Sequence, residues 1–219
     1  MPNDAPTQTA SGKAPKSGNR MSGPERRAQI LDAAIALFGR HGYKGTTTKS
    51  LAQASGVSEA TIFKHFPTKN DLYKAAFDRR TGVGTEQFIA ELQDCAERGE
   101  DERLVRMVVR AMFYGYERDR DLHRMLLFAW LEQDQAENQN LDEQIRSFPL
   151  FGFLEGYIRQ RQAAGAFIRE SPELLLSALV GLPVHEAIRR KLYGLDTGTT
   201  DDAAIEAFAR LLLDGLKVR

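Results

Sequence analysis

Two short helical segments joined by a tight turn, between Thr46 and Lys69, constrain the fold of this chain more than any other feature. The sequence TTTKSLAQASGVSEATIFKHFPTK predicts one helix from about Thr48 to Ala54 and a second from Ser58 to Phe66. The turn between them contains Gly56, which adopts a positive φ without a Cβ clash. The segment is therefore predicted to form a compact helix–turn–helix unit.

The apolar residues of this unit are spaced to pack against a preceding helix and against each other. They are Leu51, Ala52, Val57, Ile62 and Phe66. The outer side of the second helix is left with small, hydrogen-bonding and cationic residues, which suit a DNA major groove about 12 Å wide. Residues 1–70 also carry ten basic and four acidic side chains, although the whole chain has a net charge of zero. This asymmetry favours a polyanion-binding module on an acidic body.

Helical periodicity extends over nearly the whole chain and predicts an all-α fold. Capping-box spacing at Ser22 predicts the start of the first helix, which ends at residues 39–42. A second capping box at Thr68 opens a helix predicted to run to about Arg98. Pro183 is expected to bend or interrupt its helix near Gly181. The later helices are predicted at about 101–118, 121–135, 140–163, 171–193 and 201–217.

Composition predicts three parts: a disordered tail (1–21), a helix–turn–helix domain (22–67) and a helical body (68–219). The longest nearly apolar stretch has 11 residues, too few for the roughly 20 that span a bilayer. The only cysteine, Cys95, rules out an internal disulfide and fits a reducing compartment. We therefore expect a soluble, cytoplasmic protein without a cofactor or a metal site.

The stretch from Glu25 to Phe77 resembles a known family. ERRAQILDAAIALFGRHGYKGTTTKSLAQASGVSEATIFKHFPTKNDLYKAAF is similar to the N-terminal domain of TetR-type transcriptional regulators. The resemblance implies a three-helix DNA-binding domain and a helical C-terminal domain that binds a ligand and dimerises. It also implies an inverted-repeat DNA operator, a homodimer and, usually, repression relieved by a small molecule.

The resemblance places DNA contacts at particular positions. The family binds phosphate at the start of its second helix and reads bases from the start of its third. Phe63 stands where the family usually has a tyrosine that contacts phosphate, so Phe63 either packs on sugar or a thymine methyl, or makes no contact. Glu59 either accepts from cytosine N4 or serves as a helix-start charge. The predicted DNA-binding residues are Thr47, Thr48, Lys49, Ser58, Ala60, Thr61, Phe63, Lys64, His65 and Lys69.

Helix 171–193 is apolar on nearly all sides, which a surface helix of a monomer is not. Burying both this helix and the last one predicts a self-complementary four-helix interface between two copies. A monomer core is the alternative. The predicted interface residues are Leu175, Leu179, Leu182, Phe208 and Leu212.

Aromatic residues are concentrated between Phe113 and Phe167, which predicts a largely apolar ligand cavity. Ordinary core packing is the alternative for each of them. The predicted ligand residues are Met112, Phe113, Tyr116, Met125, Phe128, Trp130, Phe151, Leu154 and Tyr157.

Two other functions compete with a ligand-released repressor. An enzyme is disfavoured because the four histidines lack metal-ligand spacing and no HExxH, GxSxG or glycine-rich phosphate loop occurs. A DNA-binding regulator that ignores small molecules, with a body that only dimerises or recruits a protein, stays open at this point.

Overall fold

The computed structural model describes residues 21–81, 84–132, 148–195 and 198–218. Within these ranges the chain forms helices and no strand, apart from an isolated bridge that pairs Phe167 with Lys217. This confirms the predicted all-α class. The helices are α1 (Gly23–Gly45), α2 (Thr48–Ser55), α3 (Glu59–His65), α4 (Lys69–Thr81), α5 (Thr85–Glu97), α6 (Asp101–Arg118), α7 (Arg120–Leu131), α8 (Pro149–Ala163), α9 (Pro172–Ala187) and α10 (Asp201–Leu216).

The local start signals operate as predicted. The Ser22 hydroxyl accepts from the backbone N–H of Glu25, and the Glu25 carboxylate accepts from the N–H of Ser22 at 2.7 Å. These hydrogen bonds lower the pKa of Glu25. Ser171 and Thr200 likewise cap α9 and α10 by accepting backbone N–H groups three residues ahead. Each of these bonds satisfies a helix-end donor that would otherwise lack a partner.

Several helix boundaries differ from the prediction. The helix opened by Thr68 does not run to Arg98, because the chain leaves helical geometry at Gly84, where φ is 76°. The first helix continues to Gly45 past a break at Gly42. The second of the later helices ends at Leu131 instead of residue 135. Residues 1–20, and the first part of the helix predicted at 140–163, lie outside the described residues.

Pro183 does not interrupt α9, which continues to Ala187. Proline removes one intrahelical hydrogen bond, and Pro183 is itself buried, so packing offsets that loss. The departure from α geometry comes later, where Ile188–Leu192 forms a π-helical turn.

Two hydrophobic cores organise the helices. The N-terminal core is built by α1 to α4 around Phe38, whose ring meets that of Tyr73 edge-to-face at 4.9 Å. Met125 of α7 is fully buried in this same core. The second core, in the body, is built by α5, α6, α8, α9 and α10. Helix α7 is part of the body by its position in the sequence, but it packs in the core of the N-terminal module.

A buried polar cluster fixes α6 against α8 inside the body. The hydroxyl of Tyr157 and the guanidinium of Arg161 both donate to the carboxylate of Asp101, the latter at 2.6 Å. Burial, together with the hydrogen bond to Asp101, raises the pKa of Tyr157. Because a buried carboxylate is tolerated only when it is paired and hydrogen-bonded, this cluster fixes one relative position of the two helices.

Helix α7 lies along α1 and follows directly after α6 of the body. Arg124 donates to the backbone carbonyl of Gly39 at 2.6 Å, and an added Cβ at Gly39 would lie 3.0 Å from Asp121. Asp119 ends α6 and also caps α7 by accepting from the N–H of Leu122. The body thus holds the N-terminal module through a close helix–helix contact. No helix among the described residues is both long and apolar enough to cross a bilayer.

Candidate nucleic-acid interface

Side-chain caps hold the N-terminal ends of α2 and α3, and Gly56 makes the turn between them. Thr47 caps α2 by accepting from the N–H of Ser50 at 3.0 Å, and Ser58 caps α3 by accepting from the N–H of Thr61 at 3.1 Å. Gly56 adopts the left-handed conformation (φ 62°, ψ 28°) that the turn requires. The start of α3 is therefore held in one orientation relative to α2.

Helix α3 buries one side and exposes the other, as predicted. Ile62 and the following Phe66 are each 2% exposed and pack in the N-terminal core. Ala60 and Lys64 are exposed on the outer side, while Thr61 and His65 are half-buried. This outer side is a surface about two turns long that fits a groove.

Phe63 is 41% exposed on the outer side of α3. A large apolar ring exposed between polar and cationic neighbours has no partner in the N-terminal core to account for it. An aromatic ring without a hydroxyl can contact a sugar or a thymine methyl but cannot hydrogen-bond a phosphate.

Glu59 is held at the start of α3. The hydroxyl of Thr48, at the start of α2, donates to the Glu59 carboxylate at 2.6 Å. This bond links the N-terminal ends of the two helices and fits the predicted helix-start charge. The Thr48 hydroxyl proton is therefore engaged, and the group left to meet a phosphate is the Thr48 backbone N–H at the helix end.

Lys69 is directed into the protein. Its ammonium donates to the backbone carbonyls of Tyr43 and Thr46 at 2.8 and 3.0 Å and lies 4.1 Å from the centroid of the Tyr43 ring. Burial lowers the pKa of Lys69, and the negative charge of Glu132 opposes that shift. An ammonium has three donors, so at most one is left for DNA. Lys49 and Lys64, in contrast, are exposed.

Sequence reasoning missed Glu132, at the end of α7. Its carboxylate oxygen Oε2 accepts from the backbone N–H groups of Tyr43 and Lys44 at 2.8 and 3.1 Å. These two residues belong to the last turn of α1, after the break at Gly42, and lie 89 and 88 positions from Glu132 along the chain. No local pattern around Glu132 signals this contact, because it exists only once α7 has packed on α1.

The predicted dimer residues separate into two groups. Leu175, Leu179 and Leu212 are at most 8% exposed and belong to the core of the protomer, so they cannot supply a surface to a partner. Phe208 is half-buried, and Leu182 is 41% exposed. The remaining exposed leucines of these helices are Leu174 on α9 and Leu211 on α10.

Predicted ligand residues that the structure describes lie in both cores. Phe113, Leu154 and Tyr157 are fully or almost fully buried in the body core, whereas Met125 belongs to the N-terminal core. Tyr116 is also buried, and the side chain of Trp130 lies outside the described residues. The half-buried members are Met112, Phe128 and Phe151.

A surface groove of about 650 Å³ lies at the start of α6 and shares none of these residues. Charged side chains dominate its lining, including those of Arg103, Arg106 and Lys217. Its arginines are paired: Arg103 with Glu100, and Arg106 with Glu102 and Glu206. The groove does not resemble the apolar cavity that the aromatic residues predict.

In the part of the chain that the structure describes, no group of three histidine, cysteine, aspartate or glutamate side chains is placed to hold a metal ion. Burial raises the pKa of the Cys95 thiol, which is 1% exposed, and a reactive cysteine needs the opposite shift.

Comparison with known proteins agrees with this geometry. Residues 30–76 match the family described as bacterial regulatory proteins, tetR family. The chain is 29% identical over 132 residues to the HTH-type transcriptional activator FasR of Mycolicibacterium smegmatis, an alignment that covers 59% of this chain and only 56% of that relative. It is 27% identical to the HTH-type transcriptional regulator BetI of Cronobacter sakazakii, covering 81% of this chain and 87% of that protein.

The solved structure of FadR from Bacillus subtilis, in complex with stearoyl-CoA, has a similar fold. The TM-score is 0.61 at 21% identity, and the match covers 86% of this chain and 98% of FadR. The similarity therefore spans both the helix–turn–helix module and the helical body. All three of these proteins are described as regulators of transcription.

Proposed function

We propose that this chain, whose residues 30–76 match the tetR family of bacterial regulatory proteins, is a homodimeric repressor released from an inverted-repeat operator by an apolar ligand. The observation that carries the proposal is the outer side of α3. There Ala60, Phe63 and Lys64 are exposed on a short helix whose inner side is locked in the N-terminal core. The side chains available to a DNA groove are thus presented on a rigid support.

Each exposed group has a role in this proposal. The small side chain of Ala60 lets the helix approach base edges closely, and the ring of Phe63 packs on a sugar or a thymine methyl. The ammonium of Lys64 pairs with a phosphate, which positions the helix without reading sequence. Lys49, exposed on α2, meets the flanking backbone or a base edge.

A second copy doubles the recognition site. Helices α9 and α10 pack on each other and on α6, and each presents an exposed leucine-containing face to the outside. Leu182 of α9 and Leu211 of α10 are 41% and 60% exposed. We place the contact between protomers on this face, because a self-complementary patch gives the two-fold symmetry that an inverted-repeat operator requires.

For the ligand, we propose a molecule with a long or bulky apolar part. FadR binds stearoyl-CoA in its solved structure, and the chain is similar to FadR in fold. The aromatic side chains between α6 and α8 give this body an apolar interior of matching chemistry. Long-chain acyl-CoA thioesters and aromatic carboxylates are therefore the first compounds to titrate.

Selection of bound duplexes from a random pool tests the proposed function. We expect the full-length protein to enrich an inverted repeat whose half-sites lie about one helical turn, roughly 34–36 Å, apart. Enrichment of no sequence at moderate ionic strength would contradict the proposal.

Titration of the selected operator complex with the candidate ligands tests release. We expect an effective ligand to lower operator affinity between 5- and 150-fold, the range of allosteric couplings of about 1–3 kcal/mol. The fluorescence of Trp130, the chain's only tryptophan, gives an independent measure of binding. Fluorescence and operator affinity that no compound changes would favour the alternative of a ligand-independent regulator.

Replacing Lys64 by alanine is expected to weaken operator binding on the order of 10-fold, since a surface ion pair contributes up to about 1 kcal/mol in each half-site. Each lost phosphate contact reduces the dependence of log K on log salt concentration by about 0.9. The dimer should therefore lose a slope of about 1.8. Filter binding or fluorescence anisotropy at several salt concentrations measures both quantities.

Lys217→Ala is the matched control, because Lys217 is an exposed lysine directly after the last helix. It should leave affinity and slope unchanged. An unchanged slope for Lys64→Ala would show that Lys64 does not contact a phosphate.

A further inference from the structure

We propose that Glu132, at the end of body helix α7, is a positioning residue for DNA binding. Its carboxylate fixes the segment 42–47, the turn that leads from the break in α1 into α2. In this way it sets the orientation of the recognition helix relative to the body. This inference rests on the proposed function. It identifies the contact of Glu132 with Tyr43 and Lys44 as the one through which the position of the body affects the orientation of the DNA-binding module.

The first step is the break in α1. At Gly42 the backbone turns to φ 70° and ψ −177°, a conformation almost restricted to glycine. Glu132 takes up the two N–H groups that follow the break, those of Tyr43 and Lys44, on one carboxylate oxygen. Hydrogen bonds to an ionised carboxylate are stronger than those between neutral groups. A charge on the body thus binds the backbone of the module.

The second step concerns the opposite side of the same turn. Lys69 of α4 donates to the carbonyls of Tyr43 and Thr46. The hydroxyl of Thr46, which is buried, is directed at the carbonyl of Gly42 at 2.7 Å. The turn is therefore held through its N–H groups by α7 and through its carbonyl groups by its own module. Removing Glu132 takes away the first set of bonds and leaves the second set in place.

The third step is the fit between Glu132 and the turn. A Cβ atom at residue 42 would lie 2.1 Å from Oε1 of Glu132 and 2.9 Å from the ring of Phe128. The carboxylate therefore occupies the space that a side chain at this position would take. So close an approach leaves the turn little freedom to shift without breaking the contact with α7.

The fourth step links the turn to the surface that meets DNA. The turn ends at Thr47, which caps α2, and Thr48 of α2 holds Glu59 at the start of α3. On the body side, α7 follows α6 at Asp119, and α6 packs against α9 and α10, which carry the proposed dimer face. A continuous series of contacts thus runs from the dimer face through Glu132 to the recognition helix.

The experiment compares Glu132→Ala with the unaltered full chain by two measurements. Hydrogen exchange should become faster in the segment 43–55 and stay unchanged in α6 and α10. Affinity for the selected operator should fall about 5-fold or more, the lower end of typical coupling between sites, with the salt slope unchanged because no phosphate contact is lost. Glu132→Gln keeps an acceptor but removes the charge. Its exchange rate in 43–55 and its operator affinity should lie between those of Glu132→Ala and the unaltered protein.

Glu155→Ala is the control, since Glu155 pairs with Arg159 on the same helix of the body and should change neither measurement. Unchanged exchange in 43–55 overturns the inference, and so does faster exchange with unchanged operator affinity. Faster exchange throughout the chain also overturns it, because Glu132 would then only stabilise the fold. Failure of the unaltered protein to bind any duplex would refute the proposed function instead, and the exchange measurement still reports whether Glu132 holds the turn.

Discussion

Leu182→Glu is expected to yield a folded protomer of 24.5 kDa that no longer dimerises and binds the operator at least 100-fold more weakly. Leu182 is 41% exposed in the protomer, so the substitution should change the protomer's own free energy of unfolding by less than about 0.5 kcal/mol. In the dimer, two-fold symmetry would bury the new carboxylate twice without a partner charge. Two linked DNA-binding modules gain about 10²- to 10⁴-fold in affinity over one, and that gain is lost.

Sedimentation and operator titration measure these effects. Affinity for a duplex that contains a single half-site should be the same in the variant and the unaltered protein, because the recognition helix is untouched. Gln160→Glu, which adds the same charge at an exposed position of α8, is the control and should still dimerise. If Leu182→Glu sedimented as a dimer, the contact between protomers would lie elsewhere.

Gly42→Ala is expected to destabilise the N-terminal module by about 3 kcal/mol. The backbone at this residue lies in a region nearly restricted to glycine, where strain costs on the order of 1–3 kcal/mol. The added methyl group would also overlap the Glu132 carboxylate, 2.1 Å away. Denaturant unfolding followed by circular dichroism measures the loss. The protein that stays folded should also bind the operator more weakly, since the altered turn leads into α2.

Gly56→Ala measures the cost of a positive φ where an added Cβ overlaps no other atom. Gly56 also has a positive φ, of 62°, but nothing lies within 4 Å of a Cβ added there. Its substitution should therefore cost only the conformational strain, about 1–2 kcal/mol. In a double-mutant cycle, Glu132→Ala should recover part of the cost of Gly42→Ala, because the overlap disappears. Equal costs for the two glycine substitutions would refute the proposed overlap with Glu132.

Local sequence signals predicted the all-α class and the helix–turn–helix motif well. The capping boxes at Ser22 and Thr68 act within three residues, so the pattern alone specifies their hydrogen bonds. The apolar spacing of α3 likewise identified Ile62 and Phe66 as buried. The helix is not interrupted at Pro183, because whether a helix continues through a proline depends on what the ring packs against.

The amino-acid sequence by itself determined where most of the helices begin and which side of α3 faces outward, because caps and periodicity involve neighbours a few residues apart. Only the tertiary structure decided that Lys69 turns inward, that Leu175 and Leu179 fill the protomer's own core and that Glu132 reaches the turn before α2. These outcomes depend on which helices pack together. A contact between residues nearly 90 positions apart leaves no periodic trace in either stretch of sequence.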